Sequence, residues 1–358
     1  MNIKLHERKM MAYSEFRLHK GIFLYLPPWL LLLGTIGNVL SVVTLLRRSM
    51  RKTSTYNLLV VVATGDTLVL SVGLLRRWLS EVTGKDVRDQ NDFTCKMISL
   101  TGYTVSLSSV WILIVVTAER YYITVHSLRA VVCSTRKQSF KIIALILLLM
   151  LLLNSHFLAT TQIGYYEIDD DKILTCSSSE GYEYFVEHVW PWIDAMLYCF
   201  VPFFVISLLN GLIIKEIVES RRRRAELLQH QILSYNVMNE NSTRLTLMLL
   251  CVTFIFLLCT LPMMATMIYA SYTSLDDVNL EKTAKFTLAR TCSEMLMYAH
   301  HSINFYVYLL SGSRFREELR KLMFCNNTNP QGTRATVQMN CGAVSPERVQ
   351  LAAIITDE

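Results

Sequence analysis

Seven long apolar runs constrain the fold of this chain more than any other feature. Each is close to the ~20 residues that a helix needs to cross the ~30 Å hydrocarbon core of a bilayer. Of the 358 residues, 52% are hydrophobic and only 18% are charged, whereas soluble proteins carry about 25% charge. We therefore predict an all-α membrane protein with seven spanning helices, near residues 22–46, 57–75, 97–118, 140–160, 192–214, 245–270 and 286–310.

Polar side chains in the fifth and seventh runs predict how the helices are arranged. Asp194, Asn210, His300 and Asn304 all fall inside apolar runs. Such groups are costly in lipid and usually face a bundle interior or a water-filled cavity. The seven helices are therefore expected to form a bundle with a polar lumen.

The positions of the basic residues indicate the orientation in the membrane. Of the 35 Lys and Arg residues, 20 fall on the side of the tail and 14 on the side of the N-terminus. Positive charge is enriched on cytoplasmic loops. We expect residues 1–21 to be extracellular, the first run to act as an uncleaved anchor, residues 22–310 to form the membrane domain, and the tail to be cytoplasmic in a plasma-membrane protein.

The segment after the seventh run has the pattern of an amphipathic helix. Residues 311–325 read SGSRFREELRKLMFC, in which basic residues alternate with apolar ones at helical spacing. Such a helix lies on the lipid surface of the inner leaflet, and Cys325 is a candidate palmitoylation site. Residues 326–358 form a polar cytoplasmic tail that we expect to be disordered.

Cys95 and Arg120 are expected at opposite faces of the membrane. They are 25 residues apart, on either side of the third run, which on a continuous helix is roughly 37 Å. If Arg120 is cytosolic, Cys95 faces the oxidising side, where Cys176 is the other loop cysteine. A Cys95–Cys176 disulfide is the natural pairing, and the alternative is two free buried thiols.

Several motifs in the expected order resemble the rhodopsin-like G protein-coupled receptors over nearly the whole chain. They are Gly37-Asn38, Asp66, Cys95, Glu119-Arg120-Tyr121, Pro202 and Pro262. The ending Ser302-Ile303-Asn304-Phe305-Tyr306-Val307-Tyr308, followed by Ser313-Arg314-Phe315-Arg316, is similar to invertebrate FMRFamide-receptor-like neuropeptide receptors. This narrower resemblance covers one helix and its extension.

The resemblance implies a role for the charged triplet at the end of the third run. Arg120 would pair with Glu119 at rest, next to Tyr121, and would reach the α subunit of a heterotrimeric G protein once the sixth helix swings outward. Arrestin is a second partner that the family implies. In the structural alternative, Arg120 merely extends to lipid phosphates.

A buried polar network is expected around Asp66. The resemblance matches Asn38, Ser109 and Asn304 to the family's water and sodium site, so Na⁺ is a candidate occupant. His300 stands where the family usually has Asn, which weakens the sodium assignment. His300 and His301 point about 100° apart, so helix packing is favoured over metal binding, and no other cofactor or metal is predicted.

The residues that the resemblance assigns to activation depart from the family pattern. Phe256, Pro262 and Tyr308 remain as candidate switch residues. However, Thr260 stands where the family usually has Trp, Asn210 where Tyr is common, and Phe305 where Pro is usual. Phe305 is expected to remove a kink from the seventh helix. Signalling with an altered switch is our prediction, and a non-signalling receptor is the alternative.

Charged and adaptable side chains in the outer half of the bundle are candidates for ligand binding. Asp194, Glu294 and the acidic 161–187 loop favour a cationic ligand, whereas Arg77 and Glu294 neutralising each other is the purely structural alternative. Met263 and Met267 offer an adaptable wall, although methionines are more often ordinary packing. The predicted set is Arg77, Tyr103, Asp194, Met263, Met267, Arg290, Glu294 and Tyr298.

These features predict a receptor that couples an extracellular ligand to a G protein. A basic or amidated neuropeptide, for example one ending in Arg-Phe-amide, is the favoured ligand, and a small polar chemosensory molecule is the alternative. The sequence has no P-loop, G-x-S-x-G or H-E-x-x-H motif, so an enzyme is not predicted. A transporter would need a continuous charged path or inverted repeats, and neither is visible.

Overall fold

The computed structural model describes residues 9–50, 54–126, 136–168, 171–227, 236–272 and 279–323. Contacts between residues divide the chain into two units, Met1–Arg320 and Lys321–Glu358. The first unit holds the long helices and the whole candidate site. Only residues 321–323 of the second unit are described, so Cys325 and the predicted tail 326–358 lie outside the described residues.

Seven long helices and one short helix make up most of the described chain. Helix α2 contains a π-helical turn at Leu70–Leu75, and α5 contains two, at Phe185–Val189 and Met196–Phe200. The main helices are α1 (Ser14–Leu45), α2 (Ser54–Thr83), α3 (Asp92–Val125), α4 (Arg136–Asn154), α5 (185–227), α6 (Asn236–Tyr272), α7 (Leu280–Ser311) and α8 (Ser313–Met323). Single helical turns also lie at Val87–Gln90 and Phe157–Thr160.

The predicted seven-helix architecture is confirmed, with one helix more polar than the others. Among the described residues, six helices, α1 to α6, are long and apolar enough to cross a membrane. Helix α7 has a similar length but is less apolar, because Glu294, His300, His301 and Asn304 lie within it. All four side chains are buried, so α7 hides its polarity inside the bundle.

Helices α3 and α7 organise the packing. Helix α7 packs mainly against α1 and α6, and α3 packs against α2, α4 and α5. At one α1–α7 contact, a Cβ on Gly37 would come within 2.9 Å of the Phe305 Cβ. Gly37 therefore makes room for the Phe305 ring, and α7 continues as a helix through this position. A phenylalanine keeps its backbone N–H, so it does not break the helix as proline would.

A β-hairpin between α4 and α5 was not predicted from the sequence. Strand β1 (Thr161–Ile168) pairs antiparallel with β2 (Asp171–Ser178). A disulfide joins Cys176 of β2 to Cys95 near the start of α3, which confirms the predicted bridge. We call the end of the bundle that carries this bridge the disulfide end. The opposite end, where α3 reaches Arg120, is called the Arg120 end.

Helix α1 begins eight residues before the predicted apolar run, at Ser14. The additional turns are polar but make contacts with two other helices. Lys20 forms an ion pair with Glu81 of α2 at 2.6 Å, and the His19 Nδ1 lies 2.6 Å from the Thr291 hydroxyl of α7. These contacts explain why the helix continues beyond the part of the sequence with a membrane pattern.

Helix α8 packs against the Arg120 end of the bundle. Its apolar residues Phe315 and Leu319 are buried, and the Phe315 ring lies 5.6 Å from that of Tyr308. The Arg47 guanidinium at the end of α1 pairs with Glu318 at 2.9 Å. The amphipathic pattern read from the sequence therefore corresponds to a helix docked through its apolar side.

Candidate functional site

Asp66 lies at the centre of a buried polar cluster formed by α2, α3 and α7. The Asn304 side-chain nitrogen donates to Asp66 Oδ2 at 2.7 Å, and the Ser109 hydroxyl donates to Oδ1 at 3.1 Å. The His301 Nδ1 lies 2.7 Å from the same Oδ1. The structure thus brings Asp66, Ser109 and Asn304 together and adds His301.

His301 is the member of this cluster that sequence reasoning missed. Its Nε2 lies 3.3 Å from the Tyr198 hydroxyl of α5, and its backbone carbonyl accepts a hydrogen bond from Asn38 at 3.0 Å. Asn38 therefore contacts the backbone of α7 and joins the cluster indirectly. The neighbouring His300 instead packs edge-on against Phe256 of α6, with ring centroids 5.1 Å apart.

A second acidic group lies nearer the disulfide end, on α5. Asp194 is half-buried, and it makes no hydrogen bond or ion pair with any residue in the described ranges. Tyr103, Tyr198 and Cys199 lie within range of its charge. A carboxylate withdrawn from bulk water without a cation is costly, so Asp194, which has no cation beside it among the described residues, is suited to bind a cationic group.

Arg77 of α2 and Glu294 of α7 pair directly at similar depth. The guanidinium lies 2.6 Å from the Glu294 carboxylate, and the two side chains are 37% and 5% exposed. Tyr298 lies one turn further along α7, and its hydroxyl would be 2.8 Å from a Cβ on Gly73. Arg77 and Glu294 therefore neutralise each other in this conformation, as in the structural alternative to ligand binding.

The other predicted ligand residues occupy different environments. Tyr103 stacks on Phe157 with centroids 4.6 Å apart and meets Trp190 edge-on at 5.9 Å. Met263 and Met267 are half-buried, and Met267 lines a small pocket with Pro191, Trp192, Ala195 and Ile268. Arg290 is exposed, whereas Glu294 and Tyr298, one and two turns further on, are buried. The structure does not bring Arg290 into this group.

Three charged residues fix the loop between α2 and α3. Asp86 forms ion pairs with Arg76 and, at 3.1 Å, with Arg88. Burial acts to raise the pKa of Asp86, but the Arg88 backbone N–H and the charges of Arg76 and Arg88 outweigh it and lower the pKa. Asp86 therefore stays ionised and holds the loop.

A threonine connects the charged triplet at the Arg120 end to α2. The Thr55 hydroxyl donates to Glu119 Oε2 at 2.6 Å and accepts a hydrogen bond from the Arg120 guanidinium. Arg120 is buried, and Tyr121 is half-buried. The sequence predicts a pair between Arg120 and Glu119 but gives no sign of Thr55, which bridges both side chains across the α2–α3 interface.

Comparison with known proteins identifies the family. Residues 37–308 match the model of the 7 transmembrane receptor (rhodopsin family), a segment that contains Asp66, the disulfide, the charged triplet and Tyr308. The chain belongs to the rhodopsin family of seven-transmembrane receptors. Members of this family are receptors rather than enzymes, and this chain is a multi-pass membrane protein.

Individual relatives resemble this rhodopsin-family receptor at low identity. A Drosophila melanogaster FMRFamide receptor is 24% identical over 82% of this chain and 52% of its own length. A Mus musculus neuromedin-U receptor 2 is 24% identical over 83% and 74%, and a Macaca fascicularis C-C chemokine receptor type 1 is 23% identical over 89% and 82%. The chain thus spans about half the length of the Drosophila relative.

The residues that depart from the family pattern make local contacts in this receptor. The Thr260 hydroxyl donates to the Phe256 carbonyl one turn earlier in α6 at 2.8 Å. The Asn210 side chain of α5 donates to the Thr253 hydroxyl of α6 at 2.7 Å. Tyr308 and Phe256 are fully buried, and Pro262 lies within α6. The switching roles of Phe256, Pro262 and Tyr308 remain predictions.

Proposed function

We propose that this chain is a plasma-membrane receptor that binds an extracellular cationic peptide and signals to a heterotrimeric G protein. The observation that carries the proposal is the half-buried Asp194 carboxylate, which has no cationic partner among the described residues. The relatives named above include receptors for FMRFamide and neuromedin U. These names support a peptide ligand.

The proposed orientation places the disulfide end outside the cell. The Cys95–Cys176 bridge needs an oxidising compartment, and the Lys and Arg distribution favours a cytoplasmic tail. In this orientation the N-terminal segment is extracellular, and Asp194, Arg77 and Glu294 lie in the outer half of the bundle. The Arg120 end then faces the cytoplasm and its G protein.

The ligand is expected to present a positive charge to Asp194. A guanidinium can form two parallel hydrogen bonds with a carboxylate, and Tyr103, near Asp194, offers an aromatic face for the residue beside it. A peptide ending in Arg-Phe-amide supplies both groups. A second polar group of such a peptide, for example a carbonyl, could compete with Glu294 for Arg77.

Signalling follows from a shift between two arrangements of the bundle. A ligand that binds one arrangement more tightly raises the population of that arrangement. At the Arg120 end, release of Arg120 from Thr55 would open the surface for the G-protein α subunit and, in turn, for arrestin. Helix α8 with Cys325 would hold this end against the inner leaflet.

A peptide screen tests the proposal directly. Cells expressing the chain are exposed to a library of amidated peptides, with second-messenger readouts for each G-protein class. We expect activation by basic amidated peptides and a potency loss of about tenfold or more in Asp194→Asn, because one charge-assisted hydrogen bond contributes roughly 1.5–3 kcal/mol.

Glu183→Gln is the matched control. Glu183 is an exposed acid near the disulfide end, so this variant removes the same charge without changing Asp194, and its effect on potency should be small and should disappear in raised salt. Equal losses in both variants would assign the effect to long-range attraction instead. Activation only by small metabolites would favour a chemosensory receptor, and substrate uptake without a G protein would favour a transporter.

A further inference from the structure

The donors around Asp66 do not suit a sodium ion. A carboxylate offers about four acceptor positions, and three are already used by His301, Ser109 and Asn304. Hard cations take oxygen ligands, whereas two of these three donors are nitrogens. Because an ionised carboxylate only accepts, the His301 Nδ1 carries its hydrogen toward Asp66, and such a hydrogen repels a cation.

We propose that the His301 imidazole replaces the sodium ion that the family resemblance implies at Asp66. The side chains of His301 and Asp66 are fully buried and lie 2.7 Å apart. A buried carboxylate needs a counter-charge or strong donors, and a covalently attached imidazole provides them at every salt composition. This receptor is therefore insensitive to Na⁺ at its core.

The replacement also links the core to the proposed ligand pocket. A bound ion would contact only its own ligands, whereas the His301 ring reaches Asp66 of α2 through Nδ1 and Tyr198 of α5 through Nε2, at 3.3 Å. Tyr198 lies one helical turn from Asp194. The contacts Tyr198–His301 and His301–Asp66 therefore connect the part of α5 that carries Asp194 with the centre of the bundle.

Thermal unfolding of the purified full-length receptor in detergent tests this inference without any ligand, so its outcome is independent of the proposed function. The midpoint Tm is measured in NaCl and in KCl at equal ionic strength. Wild type should give the same Tm in both salts. His301→Ser, which opens the space and adds an oxygen, should unfold at a lower temperature in KCl and regain about 3 °C in NaCl.

Two further variants make the result specific. His300→Ser removes the adjacent histidine, which packs on Phe256 rather than on Asp66, and its Tm should not depend on sodium. Adding Asp66→Asn to His301→Ser should abolish the sodium response. If His301→Ser does not fold, His301→Asn replaces it with a side chain of closer volume.

A sodium-dependent rise in the Tm of wild type that Asp66→Asn removes would overturn the inference. It would also be overturned if the folded His301 variants showed the same Tm in both salts, because the imidazole would then not be occupying a place that sodium can fill.

Discussion

Asp66 and Asp194 are both acids inside the same bundle, but their surroundings are opposite. Asp66 is completely enclosed, and both of its oxygens accept hydrogen bonds from α3 and α7. Asp194 is only half-buried, and its carboxylate has no hydrogen-bond or ion-pair partner among the described residues. The first carboxylate is used to hold helices together, and the second is kept available.

The contrast separates structural charges from charges reserved for binding. The ion pair Arg77–Glu294 is intermediate between these two kinds of charge. Its charged groups are 2.6 Å apart, yet the Arg77 side chain is 37% exposed. A polar ligand could reach this pair, but it would have to displace an existing partner. Burial and pairing together therefore rank the three acids by how much the folded receptor depends on each.

The largest expected effect is at Asp66. Asp66→Ala leaves the His301, Asn304 and Ser109 donors without their acceptor inside the bundle, and we expect a loss of about 3 kcal/mol in the free energy of unfolding. Thermal unfolding in detergent measures it. Asp66→Asn keeps the size and one acceptor and should lose less; a wild-type Tm for Asp66→Ala would show that the cluster does not stabilise the bundle.

Substitutions at Arg77 and at Glu294 should lower the free energy of unfolding by unequal amounts. Arg77→Met leaves Glu294 buried and unpaired, so we expect the free energy of unfolding to fall by about 2 kcal/mol. Glu294→Gln leaves an Arg77 that solvent already reaches, so we expect about 1 kcal/mol or less. The double variant should be more stable than the sum of the two losses predicts. Strict additivity would mean that the ion pair contributes nothing.

At the Arg120 end the expected effect on stability is smaller, but signalling should change. Thr55→Val keeps the shape and removes the hydroxyl that bridges Glu119 and Arg120, for a loss of about 1 kcal/mol. Basal second-messenger production should rise because the resting position of Arg120 is weakened. Thr55→Ser keeps the hydroxyl and should behave as wild type; equal basal signalling in both variants would assign the bridge no role at rest.

Features tied to a long repeated pattern or to topology were predictable from the sequence. The seven apolar runs predicted the long helices, because bilayer thickness fixes their length. The Cys95–Cys176 bridge followed from the side of the membrane on which each cysteine falls. Asp66, Ser109 and Asn304 were assigned to one cluster through their resemblance to the family pattern.

Contacts that depend on helix rotation or on distant chain segments were not predictable. His300 and His301 are adjacent, and the sequence does not show which of two faces 100° apart meets Asp66. Thr55 is 65 residues from Arg120, so only the packing of α2 on α3 brings them together. The hairpin β1–β2 is not predictable from the sequence, because its strands lack the long apolar pattern that marks the spanning helices.

The smallest expected effect is at Asp194, and it tests the comparison most directly. Asp194→Asn removes a charge that has no described partner and keeps the volume, so the free energy of unfolding should not fall more than about 0.5 kcal/mol below that of wild type. The same Tm assay run beside Asp66→Asn measures the difference. A loss at Asp194 as large as at Asp66 would mean that this carboxylate already has a partner in the unliganded receptor, and the pocket acid would then belong to the structural group. An unchanged or raised Tm together with a loss of peptide potency would show that the folded chain holds this charge for a ligand.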